Sequence, residues 1–174
     1  MYGVSTVAEE ILDPELEIVD PHHHLWQHAN HRYLLDELLA DTGSGHNITH
    51  TVYIDCRSMY RAAGPVEMKP VGETEFANGV AAMSASGIYG PTLACAGIVS
   101  YVDLALGARA RPVLEAHVEA GRGRFRGVRA TAAYDADPVI GNTTASPGAI
   151  TGCAPTTPGP RTSRTTPAPS VMLQ

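Results

Sequence analysis

The chain has 174 residues, a formal net charge of −6, and one lysine beside eleven arginines. This acidic balance excludes the clustered basic surface of a nucleic-acid-binding protein. The length suits one domain with a sizeable core, and no apolar run reaches the roughly 18 residues of a membrane-spanning helix.

Cysteine usage and the N-terminal residues both favour the cytoplasm. The cysteines Cys56, Cys95 and Cys153 are odd in number and far apart, so they do not form a disulfide framework. Residues 1–11 lack the basic start and apolar core of a signal peptide. We therefore expect a cytoplasmic protein in which Cys56 and Cys95 are small buried apolar side chains rather than ligands.

Strands and helices alternate along residues 1–143. The strand candidates are apolar runs with β-branched residues, and the helix candidates carry apolar residues at helical spacing. In chain order the predicted elements are strand 16–19, helix 34–39, strand 50–55, helix 73–86, strand 93–99, helix 112–120 and strand 125–130.

This alternation predicts an α/β fold with parallel strands joined by right-handed crossovers. Four such steps form either a small open sheet or half of an eight-fold barrel, and the chain is too short to close a complete (β/α)₈ barrel, which takes roughly 250 residues. Of these two architectures, we predict the N-terminal half of a TIM-barrel-like fold over residues 1–143. A half barrel exposes sheet edges, which favours a homo-oligomer.

The segment Asp20-Pro21-His22-His23-His24 follows the first predicted strand. Side chains of an extended segment alternate between two faces, so His22 and His24 point the same way while His23 points elsewhere. Two neutral imidazoles aimed at one point are typical of the ligands of a Zn²⁺ site. The sequence therefore predicts a metal site at the end of this strand.

The run Ile18-Val19-Asp20-Pro21-His22-His23-His24-Leu25-Trp26 resembles the opening of the amidohydrolase-related family. This is the amidohydrolase 2 group of metal-dependent TIM-barrel hydrolases. Residues 52–61 resemble the second strand and its loop in a bacterial branch of the family, and residues 125–129 resemble its fourth-strand region. The resemblance covers residues 15–143.

The resemblance implies that His22 and His24 ligate a divalent metal ion, with Zn²⁺ the first choice. It also implies hydrolysis of a small-molecule lactone, amide or similar carboxylic derivative. The family's further metal-ligating histidine and its catalytic aspartate come from later strands and have no counterpart here, so we assign no catalytic residue and expect weak metal binding. A non-catalytic half-barrel fragment and a lactonase or decarboxylase branch of the same family are the alternatives.

Three polar residues follow the second predicted strand, on the same rim as the histidines if the chain forms a barrel: Arg57, Tyr60 and Arg61. A guanidinium group matches a carboxylate with two parallel hydrogen bonds. We predict that these residues bind substrate; a solvated loop is the alternative.

Residues 144–174 have a different composition, rich in Thr and Pro and without Asp, Glu, Lys or aromatic residues. Such a segment buries too little apolar surface to offset its ordering entropy. We predict a disordered tail, either a natural Pro/Thr-rich segment or the product of a reading frame lost near residue 143.

Overall fold

A computed structural model describes residues 10–130 and the backbone of residues 170–173. The strands are β1 (Ile18–His23), β2 (Trp26–His28), β3 (His31–Tyr33), β4 (Ile48–Ile54), β5 (Leu93–Tyr101), β6 (Phe125–Ala130) and β7 (Ser170–Leu173). The helices are α1 (Leu35–Thr42), α2 (Val71–Ala85) and α3 (Arg111–Gly121), with short 3₁₀ segments at Val66–Met68 and Leu104–Ala110.

The main sheet has the order β1-β4-β5-β6-β7, and each neighbouring pair is parallel. Helices connect β4 to β5 and β5 to β6, as parallel pairing requires. The predicted α/β class is thus confirmed, as a mixed sheet and helix fold consistent with a partial barrel. Strands β2 and β3 form a separate antiparallel hairpin that the sequence did not predict.

The core lies between the sheet and the helices. One cluster of buried side chains joins α1 and α2 to β4 and β5, with Leu38, Tyr53, Ala77 and Ile98 among its members. A second cluster of buried side chains joins α3 to β6 and includes Val113 of α3 and Val128 of β6. Packing on one face fixes the sheet, so the side chains at its carboxyl end are mounted on rigid strands.

Strand β1 differs from the prediction at both ends. It begins at Ile18 and continues through Pro21 to His23, so the histidine motif is partly inside the strand. Proline is tolerated here because β1 lies at the sheet edge and its pairing with β4 is irregular between Asp20 and His23.

The predicted disordered tail and the last residues of the predicted barrel segment lie mostly outside the described residues. The four residues Ser170–Leu173 depart from that prediction, since they form β7 and pair in parallel with β6. The backbone groups of an edge strand such as β6 are open to pairing with an added strand, which explains this placement. Among the described residues, no helix is long and apolar enough to cross a membrane.

Candidate metal centre

The histidine pair at the end of β1 converges as the alternation of side chains predicts. The Nε2 atoms of His22 and His24 lie 3.2 Å apart, and the two rings meet edge to face with centroids 4.8 Å apart. Two nitrogens at Zn–N distances of 2.0–2.1 Å on a tetrahedral ion are separated by about 3.3 Å. The spacing of this pair therefore fits two ligands of one Zn²⁺ ion.

The orientation of His24 is fixed by the neighbouring strand. Its Nδ1 lies 2.8 Å from the carbonyl oxygen of Ile54, the last residue of β4. A carbonyl oxygen can only accept, so Nδ1 carries the proton and the neutral ring has its lone pair on Nε2. Metal-ligating histidines are held in this way, with the second ring nitrogen bound to a carbonyl or carboxylate.

The surroundings of His22 favour its neutral form. Partial burial lowers the pKa of His22, and the nearby charges of His24 and Arg129 lower it further, against the opposing effect of Asp20. Asp20 also accepts a hydrogen bond from the backbone N–H of His22 at 3.0 Å, which shapes the end of β1. Only the neutral imidazole binds a metal ion, so these surroundings suit a ligand.

Arg129 shows how the sheet brings distant strands together. It belongs to β6, and β4 and β5 lie between that strand and β1. In a flat sheet three strand spacings separate the strands by about 14 Å, yet the charge of Arg129 acts on His22. The sheet is curled, so its carboxyl ends converge on one rim.

His23 points away from the pair, as predicted. Its side chain is buried, with Nε2 2.8 Å from the Thr51 hydroxyl and 3.8 Å from the Cys95 sulfur. Burial lowers the pKa of His23 to about 4 and raises the pKa of the Cys95 thiol to about 12. Cys95 is fully buried and protonated, as predicted, whereas Cys56 is only partly buried.

The turn after β4 carries carboxyl groups that the sequence reasoning did not single out. Asp55 is 3% exposed and accepts a hydrogen bond from the Tyr60 hydroxyl at 3.1 Å. Glu73 lies on the buried face of α2 and accepts hydrogen bonds from the Tyr53 hydroxyl at 2.5 Å and the Cys56 backbone N–H at 2.9 Å. The sequence offers one indication of this role: Glu73 is a charged residue on a helix face whose other side chains are small or apolar.

The three predicted substrate residues are not brought together. Tyr60 lies at the rim through its hydrogen bond to Asp55. Arg57 is exposed and has a positive φ of 63°. Burial raises the pKa values of Tyr60 and of Tyr101 in β5, and the positive charge of Arg57 lowers both pKa values in opposition. Arg57 and Tyr60 therefore share the carboxyl rim.

Arg61 differs from that expectation. Its guanidinium forms hydrogen bonds with both carboxylate oxygens of Glu75, on the exposed side of α2. The cavity it lines there has walls from α2 and α3, including Asn78 and Glu119. The Arg61 backbone packs against Gly72 in the first turn of α2, and its side chain pairs with Glu75 of that helix and not with the histidines.

The hairpin of β2 and β3 covers one side of the site with aromatic rings. Trp26 lies 6.2 Å from His24 between ring centroids, and its indole N–H donates to Nδ1 of His31 at 3.0 Å. Trp26 also packs on Tyr33, with the two ring centroids 5.5 Å apart.

Within residues 10–130, no group of three His, Cys, Asp or Glu side chains is arranged to hold a metal ion. Comparison of the chain with protein-family models, with curated proteins and with solved structures finds no match.

Proposed function

We propose that this chain carries the metal-binding rim of a hydrolase of the amidohydrolase-related type. The observation that carries the proposal is the geometry of His22 and His24, with their Nε2 atoms 3.2 Å apart and His24 held by the Ile54 carbonyl. The hydrogen bond from Nδ1 leaves the Nε2 lone pair of His24 available to a metal ion, the arrangement that metal-ligating histidines share.

In this proposal the sheet is the first half of a (β/α)₈ barrel, and the site lies at the carboxyl ends of its strands. Enzymes of that fold place their active sites on this face. The resemblance of residues 15–143 to the family supports the same assignment, and it assigns a further histidine ligand and a catalytic aspartate to later strands.

The chain's own residues would divide the work as follows. His22 and His24 hold the metal ion, which when bound supplies Lewis-acid chemistry, polarising a carbonyl group and activating water. The Arg57 guanidinium at the same rim would bind a carboxylate of the substrate. The substrate class that suits these groups is a small lactone, amide or similar carboxylic derivative.

Metal titration of the histidine variants tests this proposal. We expect added Zn²⁺ to shift the imidazole NMR signals of His22 and His24, and His22→Ala or His24→Ala to weaken Zn²⁺ binding by at least tenfold. The reason is that loss of a ligand costs more than loss of its outer hydrogen-bond partner, for which about 10–100-fold is typical. Because two histidines alone bind weakly, we also expect dialysis against a mild chelator to remove the metal.

His50→Asn is the matched control, since His50 is an exposed histidine on β4 that contacts Thr49 and not the pair. Its Zn²⁺ affinity should equal that of the unaltered protein. Binding that survives in both His22→Ala and His24→Ala would overturn the assignment. Zn²⁺ binding at the pair without hydrolysis of any lactone or amide would instead favour the non-catalytic alternative.

A further inference from the structure

Glu73 is a buried carboxyl group at the centre of a hydrogen-bonded cluster. It projects from the first turn of α2, with 2% of its surface exposed. One oxygen, Oε1, accepts from the Tyr53 hydroxyl at 2.5 Å, the Cys56 backbone N–H at 2.9 Å and the Cys56 thiol at 3.5 Å. Glu73 thus joins α2 to the end of β4 and to the turn that follows it.

The same turn orients the metal ligand His24. The Ile54 carbonyl accepts from Nδ1 of His24 at 2.8 Å, and the N–H of the next residue, Asp55, donates to the Val99 carbonyl of β5 at 2.8 Å. The N–H after that, from Cys56, donates to Glu73. The carbonyl that holds His24 and the N–H that Glu73 holds therefore belong to adjacent peptide units, which meet at the Cα of Asp55.

The second oxygen of Glu73, Oε2, accepts no hydrogen bond from the described residues. The Asp55 carboxyl lies beside Glu73, and the ion pairs found within residues 10–130 use other carboxylates. Two adjacent buried carboxylates cannot both ionise cheaply, so one proton is shared between them. Burial, and then the contact with Asp55, raise the pKa of Glu73 to about 8.

We propose that Glu73 is a positioning residue of the metal centre. As a neutral acid, Glu73 donates a hydrogen bond from Oε2 to Asp55 and holds the turn after β4. This turn keeps the Ile54 carbonyl against His24. This inference rests on the proposed function, because the metal ligand that Glu73 positions is His24. It assigns a role to a residue that does not touch the metal or the substrate. The neutral acid suits this role because it donates and accepts at once.

Three variants separate positioning from simple stability. Glu73→Gln retains a neutral group that donates and accepts, Glu73→Met removes both functions at similar volume, and Glu75→Gln is a control on the exposed side of the same helix. We expect Zn²⁺ affinity within threefold of the unaltered protein in E73Q and E75Q, and at least tenfold weaker in E73M, in keeping with the loss of an outer hydrogen-bond partner.

Two spectroscopic readouts in the metal-free protein decide the inference even if E73M does not fold. Infrared difference spectra at pH 7 should show the C=O stretch of a protonated carboxylic acid that is missing in E73Q and retained in E75Q. The Nδ1–H signal of His24 should persist in E73Q and exchange faster in Tyr53→Phe, which removes one of the donors to Glu73. Absence of the protonated-acid band overturns the proposal, as does unchanged Zn²⁺ affinity in folded E73M.

The same experiments distinguish this inference from the proposed function. If the unaltered protein binds no Zn²⁺ at the histidines, the metal-binding function fails. The infrared band and the His24 signal would then still show whether Glu73 is neutral and whether it holds the turn after β4.

Discussion

Acidification from pH 7 to pH 4.5 should destabilise the fold through two buried histidines, His23 and His117, by about 2.5 kcal/mol each. His117 is fully buried, 2.8 Å from the Thr74 hydroxyl, which in turn lies 2.5 Å from the Ser100 hydroxyl. Burial lowers the pKa of both histidines from 6.5 to about 4. Both rings are therefore neutral in the folded protein at neutral pH.

The direction follows from proton counting. Below pH 6.5 the unfolded chain takes up a proton on each of these histidines, whereas the folded protein does so only near pH 4. Each histidine makes its full contribution to the free energy of unfolding above pH 6.5, and this contribution is lost as pH falls towards 4. Glu73 acts in the opposite direction: with its pKa raised to about 8, its contribution is lost as pH rises from about 4.5 through 8.

The histidines and Glu73 change the free energy of unfolding in opposite directions as pH falls. A comparison of the unaltered protein with a His117 variant therefore isolates the contribution of that histidine. The difference in the free energy of unfolding between the unaltered protein and His117→Gln should change by about 1.2 kcal/mol per pH unit between pH 6 and pH 4.5. Urea denaturation at several pH values measures it.

An NMR titration provides a second measurement that does not need a variant. The ring signals of His117 should not titrate above pH 5, because burial lowers its pKa to about 4. A His117 ring that titrates near pH 6.5 would contradict the assignment of a neutral, desolvated side chain.

The sequence was sufficient for features that depend on local pattern. Strand β6 spans Phe125–Ala130, as the sequence predicts. The convergence of His22 and His24 follows from alternation in extended chain, and needs no knowledge of other strands. Both predictions use only neighbours along the chain.

Features that depend on distant neighbours were not predictable. Glu73 gains its role from Asp55, Tyr53 and Cys56, which belong to another element of the fold. The strands of the β2–β3 hairpin have three residues each, which is too short to show the alternation of apolar and polar side chains that predicts a strand. The position of Arg61 was missed because its partner, Glu75, lies on a helix 14 residues further along the chain.

The course of the loop before α2 explains the position of Arg61 and depends on one glycine. Arg57 and Met59 have positive φ values of 63° and 52°, which cost energy in residues with a side chain. The loop then passes directly over Gly72, and the Arg61 N–H donates to the Lys69 carbonyl at 2.9 Å. Close approach of two backbones at Gly72 is what keeps this turn in place.

The substitution Gly72→Ala should therefore lower the free energy of unfolding by about 2–3 kcal/mol, the range of overpacked sites. A Cβ at this position would lie 2.7 Å from the Arg61 backbone nitrogen and 2.8 Å from the Met59 carbonyl oxygen. Both contacts are with backbone, which cannot rotate away as a side chain can. The loop that carries Tyr60 to Asp55 would have to shift.

The matched control is Gly79→Ala in the same helix, where a Cβ meets nothing within 4 Å. Gly79 is exposed in the middle of α2, so alanine should raise stability there by about 0.5–1 kcal/mol through the lower entropy of the unfolded chain. The same chemical change thus has opposite signs at two positions seven residues apart. Urea denaturation of both variants measures the pair, and a Gly72→Ala protein as stable as Gly79→Ala would show that the loop does not press on α2.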